Sequence, residues 1–451
     1  MFNKLGMYLK VNTFLCQQGL KKIIHFKLKV PLSKALVLIG LIFRRVGKSK
    51  AGLELILKGR RVAQVKKADD LIFEMVKRNS DNFESLLPFA PDFDVEMISR
   101  RILILKLPEL SDGLIKEKGA IIIKFSESFS IIYKNFDVNS LSKYFNIILE
   151  PSSVGYSLPE ILVWNKLSPA KVFVMAPYRD DFNFIKGIQA NLIPLTLGPS
   201  DWVNTERFFK INGKEKNYDA IYIANFNPIK RVERYIKAVS RIQKVRPNFK
   251  AALILADHGD KKDEILKYIE YFERKVKIDY FGAMSQVQLN EILNSAKANL
   301  LISLREGSNK GLAEGLFSGT PGILIAENAG GNHAHMNEFT GKIVKDGDLE
   351  KAMIWLSENY ESLSPEVWAK ENMSAEISAA NLSQVIKGFE LEEGREWNTD
   401  LKAKINSPEL SYFDSRDDWL LSKRRELLEI FSRSDTKIGV SDKMNNFLIN
   451  K

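Results

Sequence analysis

Cysteine is nearly absent. Cys16, alone among 451 residues, excludes an internal disulfide and any cysteine-built metal site, and one free thiol fits a reducing compartment. Histidine is almost as scarce. His25, His258, His333 and His335 leave little for histidine-based metal binding, and no metal is expected. No apolar run approaches the roughly 18 to 20 residues that cross a bilayer as a helix. Acidic residues are missing from the first 50 positions altogether.

What is present is ordinary in bulk and uneven in place. The chain is 45% apolar and 27% charged, the balance of a folded protein, and its length predicts two or three domains. The formal net charge is +11, yet residues 1–67 hold 16 Lys or Arg against Glu54 alone. They carry more positive charge than the whole chain, so the remainder is mildly acidic. This basic arm contains ALVLIGLIF at 35–43, flanked by Lys34 and by Arg44 and Arg45. Nine apolar residues span about 13 Å as a helix, less than half a bilayer core. Too much basic chain precedes the run for a signal peptide, and no small-residue cleavage site follows it. Lysines on anionic headgroups with the apolar run partly immersed would make a monotopic membrane contact. A solvated basic face around one buried helix is the plainer alternative. Nucleic acid is a third, though the arm's few aromatics form no stacking pattern.

Beyond the arm, short aliphatic runs recur. RILILKLP at 101–108 reads as a buried parallel strand closed by proline. AIIIKF (120–125), FNIILE (145–150), KVFVMA (171–176) and NLIPLTLG (191–198) follow, with helical stretches between several of them. After a polar break at 199–218 the alternation restarts: DAIYIANF (219–226), a helix over 230–245, KAALILAD (250–257), a helix over 263–276, a strand near Tyr280, a helix opening on Ser285, ANLLISL (298–304) and GILIAEN (322–328). Alternating strand and helix means parallel sheets with helices on both faces. Past about residue 345 the pattern is helical, with no further strand pair.

REGSNKGLAEGLFSGTPG, residues 305–322, follows a strand at the carboxyl edge of such a sheet, where α/β proteins bind ligands. The next helix is expected to start near Ser308 to Gly311. Gly307 and Gly311 let backbone N–H groups approach a ligand, and a helix N-terminus suits phosphate. Glu306 and Glu314 cannot bind phosphate, but a carboxylate accepts two hydrogen bonds from a vicinal diol. Glycine for phosphate and glutamate for diol together describe a sugar nucleotide. Read alone, Glu306 could equally be a helix-start acid and Glu314 a surface residue.

The stretch resembles the nucleotide-sugar glycosyltransferases of the two-Rossmann-domain (GT-B) type, in particular the large retaining family with an E-x7-E motif; Glu306 and Glu314 stand at that spacing. The resemblance runs from about Tyr218 to Val344, through IANFNPIKRVERYIKA (223–238), FGAMSQVQLNEILNSAKANLLIS (281–303), EGLFSGTPGIL (314–324) and ENAGGNHAHMNEFTGKIV (327–344). It implies an α/β GT-B fold, two Rossmann-like doubly wound parallel-sheet domains facing a cleft. Residues 1–67 would be the arm, 68–205 the acceptor domain, 206–390 the donor domain, and 391–451 a helical tail crossing back onto the first domain. Lys230 would contact the donor diphosphate, with Arg231 as a second cation. Amides of Gly307, Ser308, Asn309, Lys310 and Gly311 would hold donor phosphate and sugar hydroxyls. Glu306 would accept from the donor sugar and Glu314 from the ribose; Gly330 and Gly331 would shape a neighbouring loop.

Two departures stand out. Many members have arginine five positions before that lysine, where this chain has Asn225. Many also carry a first-domain histidine, and none occurs here between His25 and His258. Asp92-Phe93-Asp94 matches a metal-binding D-x-D of a different fold but has no evident partner. His333 and His335 read as surface or cleft-wall residues. EPSSVGY (150–156) reads as an acceptor-side segment or a plain turn. The expected activity is transfer of a sugar from a nucleoside diphosphate sugar to an acceptor hydroxyl, retaining configuration, with the donor as substrate and no cofactor. The arm adds a carbohydrate or lipid-linked acceptor, as in surface polysaccharide, lipopolysaccharide or glycolipid assembly, at the cytoplasmic face of a membrane. A catalytically weak nucleotide-sugar-binding or scaffold protein, a nucleic-acid-binding protein using the arm, and an epimerase or phosphorylase of the same fold stay open.

Overall fold

The computed structural model describes residues 2–78, 82–88, 93–111, 114–273, 276–407, 409–433 and 439–449. They form two compact α/β units. One comprises residues 29–202 and 375–451, the other residues 1–28 and 203–374. The basic arm is therefore no separate body: its first 28 residues group with the second sheet unit and the rest with the first.

The first unit is built on a five-stranded sheet of β1 (Ile102–Lys106), β2 (Gly119–Lys124), β3 (Phe145–Glu150), β4 (Val172–Met175) and β5 (Leu192–Leu195), in that spatial order. β1 to β4 are buried along their whole length, which is why they read as unbroken aliphatic runs. β5 carries Pro194 and lies at the edge, where a missing N–H costs no ladder bond. The expectation for RILILKLP is corrected: β1 runs antiparallel to β2, with Ile102 opposite Ile123. A parallel neighbour needs a crossover connection. Residues 107–118 instead carry a small antiparallel strand pair, Glu109–Ser111 with Leu114–Glu117.

The C-terminal tail is tied to this sheet by buried polar groups. Lys404 is fully buried, and its ammonium lies 3.2 Å from Glu150 at the end of β3. Asn406 donates to the same carboxylate at 3.0 Å and accepts from Lys124 at 3.0 Å. Burial alone would raise the Glu150 carboxyl, but Lys404 and Lys124 outweigh it and hold the group below its ordinary value. Near the other edge, Tyr412 donates to the Ile104 carbonyl at 2.7 Å, and Lys106 pairs with Glu117. Lys404–Ile405 and Ser411–Tyr412 form a short antiparallel strand pair, so the expectation of a purely helical chain beyond 345 is also corrected.

The same unit carries a helical hairpin from the arm. The Lys29–Arg45 helix buries Ser33, Val37 and Gly40 against the Ser49–Val62 helix. A Cβ at Gly40 would lie 2.7 Å from the Gly52 carbonyl oxygen, and one at Gly52 2.5 Å from that of Gly40. On its opposite side Leu32, Leu38, Ile39 and Ile42 are exposed. Among the described residues no helix is long and apolar enough to cross a membrane.

The second unit is a six-stranded, all-parallel sheet: β6 (Ala220–Asn225), β7 (Ala251–Ala256), β8 (Asp279–Phe281), β9 (Asn299–Leu301), β10 (Gly322–Ile325) and β11 (Gly341–Val344). Their spatial order is β8-β7-β6-β9-β10-β11. Sequence reading had not assigned β11. Alternate β6 residues feed opposite faces: Ala220 and Tyr222 join one core cluster and Ile221 another. Helices thus cover both faces. The N-terminal Phe2–Ile23 helix packs on the Lys262–Glu273 helix, with Phe14 buried 6.2 Å from the Tyr268 ring. Burying a Phe contributes about 2–3 kcal/mol to docking this helix.

Candidate functional site

The strand order reverses between β6 and β9, and the loops leaving the carboxyl ends of those two strands hold the candidate residues. Ligands of open α/β sheets bind at this switch point.

The loop after β6 is rigidly built. Asn225 accepts from the Asn227 N–H at 2.9 Å and bonds the His258 ring at 2.7 Å. Asn227 caps a 3-10 turn, Pro228–Lys230, by accepting from Ile229 N at 3.1 Å. Gly259 (φ +127°) supports it from the next loop, where a Cβ would lie 2.4 Å from the Phe226 carbonyl carbon, so only glycine fits. The turn delivers the Lys230 ammonium to 2.5 Å from Glu306 Oε1, with both side chains largely buried. Tyr222 also donates to the Lys230 carbonyl.

The loop after β9 is zipped to the loop after β10. Ala329 N donates to Leu304 O, Glu306 N to Ala329 O and Gly331 N to Gly307 O, each at 2.9 Å. Asn309 and Asn332 exchange two bonds, Asn309 N to Asn332 Oδ1 at 2.6 Å and Asn332 Nδ2 to Asn309 O at 2.9 Å. A Cβ at Gly330 would lie 2.5 Å from Asn328 Oδ1, so a side chain there would force Asn328 to shift. Asn309 then caps the Lys310–Phe317 helix by accepting from Leu312 N at 2.9 Å. The helix starts within the expected window. Ser308 and Lys310 lie in this loop and helix start, both half-buried. Gly311 meets nothing closer than 3.4 Å, so the fold leaves room for a side chain there.

Glu314, one turn into the helix, is buried, and its carboxyl makes no hydrogen bond or ion pair with another described residue. Burial raises its pKa to about 7, opposed only weakly by Lys310. A carboxyl left in this state has acceptor capacity that the chain itself does not use.

Arg231 is not grouped with Lys230 and Glu306. It adopts a left-handed backbone (φ +56°), a conformation costing a non-glycine residue about 1 kcal/mol or more. Its guanidinium is buried, donating to Ile302 O at 3.0 Å and Asp346 at 2.9 Å. Asp346 also pairs with Lys22 at 2.8 Å and Arg234 at 3.2 Å. Burial would raise this carboxyl, but Arg231, Lys22 and Arg234 pull it down to about 2. Sequence reading missed Asp346 and the Asn225–His258 bond. Both pair residues far apart in the chain, and neither has a local motif.

The remaining candidates are placed as follows. Asp94 caps a short helix, accepting from Glu96 N at 2.9 Å, while Asp92 lies outside the described residues. His335 is buried 6.5 Å from the Trp368 ring, not a surface residue. His333 bonds the Asn328 carbonyl at 2.8 Å. Glu150 of EPSSVGY is engaged by Lys404, while the Gly155 and Tyr156 N–H groups bond Asp181.

Residues 203–372 match the family described as glycosyl transferases group 1. The match lies within the second unit and includes every candidate residue above from Asn225 to Asp346. No curated protein sequence matches the chain. Among solved structures, the chain is similar to TarM at 15% identity and TM-score 0.47, over 60% of this chain and 54% of that one. It is similar to a sucrose-phosphate synthase from Thermosynechococcus elongatus at 14% identity and TM-score 0.48, covering 60% and 74% of the two chains. A third likeness is to HepE of Anabaena, solved with UDP-glucose, at 10% identity and TM-score 0.46, over 60% and 78%. The chain thus spans about half the length of TarM. The fold class is α/β, with a largely parallel sheet in each unit and a helical C-terminal region.

Proposed function

We propose that this protein transfers a sugar from a nucleoside diphosphate sugar to an acceptor hydroxyl, with retained anomeric configuration and without a metal. The observation that carries the reading is the Lys230–Glu306 pair beside an amide-rich loop at the switch point, inside the stretch that matches glycosyl transferases group 1. Breaking a glycosidic phosphate bond leaves a cationic sugar and an anionic diphosphate. The Lys230 ammonium and the start of the Lys310–Phe317 helix offset the charge developing on the diphosphate. Glu306 accepts from sugar hydroxyls, and Glu314 takes the ribose diol.

A thermal-shift screen of UDP-, GDP-, ADP- and CDP-sugars tests this. A donor at a hundred times its Kd stabilises the folded chain by about 2.7 kcal/mol. One nucleotide class is expected to raise the melting point and to lose the effect in the Lys230→Ala, Glu306→Ala double variant. No shift with any donor, or a shift the variant keeps, overturns the reading.

Asn225 favours a second reading, a nucleotide-sugar binder with weak catalysis. Its amide is held by His258 where the resemblance implies a second cation. Donor binding without hydrolysis or transfer to any acceptor would select it.

We also infer that the acceptor is displayed at an anionic membrane, in surface polysaccharide, lipopolysaccharide or glycolipid assembly. The support is the exposed Leu38, Ile39 and Ile42 on a helix bounded by Lys29, Lys34, Arg44 and Arg45. Sedimentation with phosphatidylglycerol vesicles is expected, and Ile39→Glu with Ile42→Glu should abolish it. Equal sedimentation of this variant would overturn the inference.

A further inference from the structure

A cavity lies in the unit that holds the candidate site. Its volume is about 640 Å³. One wall is the end of the N-terminal helix, with Gln18, Lys21 and Lys22. The facing wall is the first turns of the Val232–Val245 helix, with Glu233, Arg234 and Lys237. Asn227–Ile229 and Leu304–Arg305, the residues just before Lys230 and Glu306, also line it, but Lys230 and Glu306 do not.

Its lining holds seven Lys or Arg side chains against two carboxyl groups, Glu233 and Asp346. Asp346 is already engaged by Lys22, Arg231 and Arg234. Arg234 and Arg241 share Glu350. Arg305 also has an interaction of its own, and two cations remain: Lys21 and Lys237 make no hydrogen bond or ion pair with another described residue. Lys237 is half-buried. Burial lowers its pKa against the pull of Glu233, and Arg241, Lys22 and Arg234 add to the lowering. An ammonium held among like charges is stabilised by an anion.

The second signal is Glu233. It is 7% exposed, and its Oε2 has no hydrogen-bond partner. A buried polar atom left unpaired is destabilising. Buried among cations, Glu233 is, of the two carboxyl groups among the described lining residues, the one not already held in ion pairs. Cations for an oxyanion and a free carboxyl for a hydroxyl, in a cavity of small-molecule size, define one ligand chemistry.

We propose that this cavity binds a small phosphorylated polyol, a phosphate monoester held by Lys237, Lys21 and the surrounding arginines, with a neighbouring hydroxyl donating to Glu233. Because the N-terminal helix forms one wall, occupancy also pins that helix to the unit.

Calorimetric titration of the full chain at low salt with glycerol 3-phosphate is the test, with inorganic phosphate for comparison. Saturable binding is expected, tighter for glycerol 3-phosphate. Lys21→Ala with Lys237→Ala should weaken it at least tenfold, and Lys237→Arg should keep it. Glu233→Leu, which removes the acceptor, should erase the preference over phosphate. Lys230→Ala should leave the affinity unchanged. Among the described residues Lys21 and Lys237 have no hydrogen-bond or ion-pair partner to lose, and an unchanged melting curve confirms that their variants fold. Dihexanoyl phosphatidic acid, kept monomeric, separates two sources of the same monoester: tighter binding than glycerol 3-phosphate points to a lipid headgroup, equal or weaker binding to a free metabolite. Absence of binding to all three phosphates overturns the proposal. So does binding that survives the lysine changes, or that is lost instead in Lys230→Ala, which would move the anion to the donor site.

Discussion

Glu150 and Glu314 are both buried glutamates near the carboxyl end of a parallel sheet, one in each unit, and their surroundings differ. Glu150 is satisfied within the chain by Lys404 and Asn406, and its pKa is held down. Glu314 has no partner among the described residues, and its pKa is raised to about 7. A buried charge with a full complement of partners holds the chain together. One without them either costs stability or awaits something the chain does not contain. The first unit has tied the end of its sheet to its own tail, whereas the second has left the Glu314 carboxyl unused in the helix that follows the Glu306 loop.

The contrast can be broken by substitution. Glu150→Ala would remove the carboxylate that the buried Lys404 and Lys124 charges face and should destabilise the protein by about 3–5 kcal/mol in denaturant unfolding. A loss under about 1 kcal/mol would remove the distinction. Lys230→Ala should lower transfer at least a hundredfold, about 3 kcal/mol in the barrier, with a melting point within a few degrees of wild type. If stability collapses instead, the pair belongs with the structural set.

Acidity sharpens the comparison further. The Glu314 carboxyl has a folded-state pKa above its unfolded one, so the folded state binds the extra proton. Its contribution favours folding below the ordinary carboxylate value near 4.5 and is lost as pH rises towards about 7. The ligand-free protein should lose up to about 3 kcal/mol across that window, and Glu314→Gln should flatten this part of the profile. For Glu150 the sign reverses: its contribution is present above its unfolded pKa and lost as pH falls. The smallest effect is at Gly311. Gly311→Ala should leave stability unchanged or raise it by up to about 1 kcal/mol, yet weaken donor binding about tenfold. Gly259→Ala, with φ +127° and no room, should simply destabilise.

Much of this was legible in the sequence because it is local. Aliphatic runs placed ten of the eleven sheet strands, the helix expected to open on Ser285 does so, with Ser285 and Gln288 forming a capping box, and the helix after Asn309 began where expected. What escaped depends on distant partners. The direction of β1 has no signature in ILILK, since an aliphatic run is the same in either sense; it follows from the connection at 107–118. Arg231 reads locally as a helix-start cation, and only Asp346, 115 positions on, makes it an internal brace. Asn225 read as a missing arginine until His258 gave it a partner. The tail's strand pair is two residues long on each side, too short to produce a pattern.

The glycine contacts between the Lys29–Arg45 and Ser49–Val62 helices carry one more consequence. Where backbone meets backbone, side-chain repacking cannot adjust the spacing, and the second helix is anchored in the sheet's core through Leu53, Ile56 and Leu57. The outward row of Leu32, Leu38, Ile39 and Ile42 is therefore a stiff keel, not a loose leader: any surface that seats it also fixes the tilt of the sheet behind it.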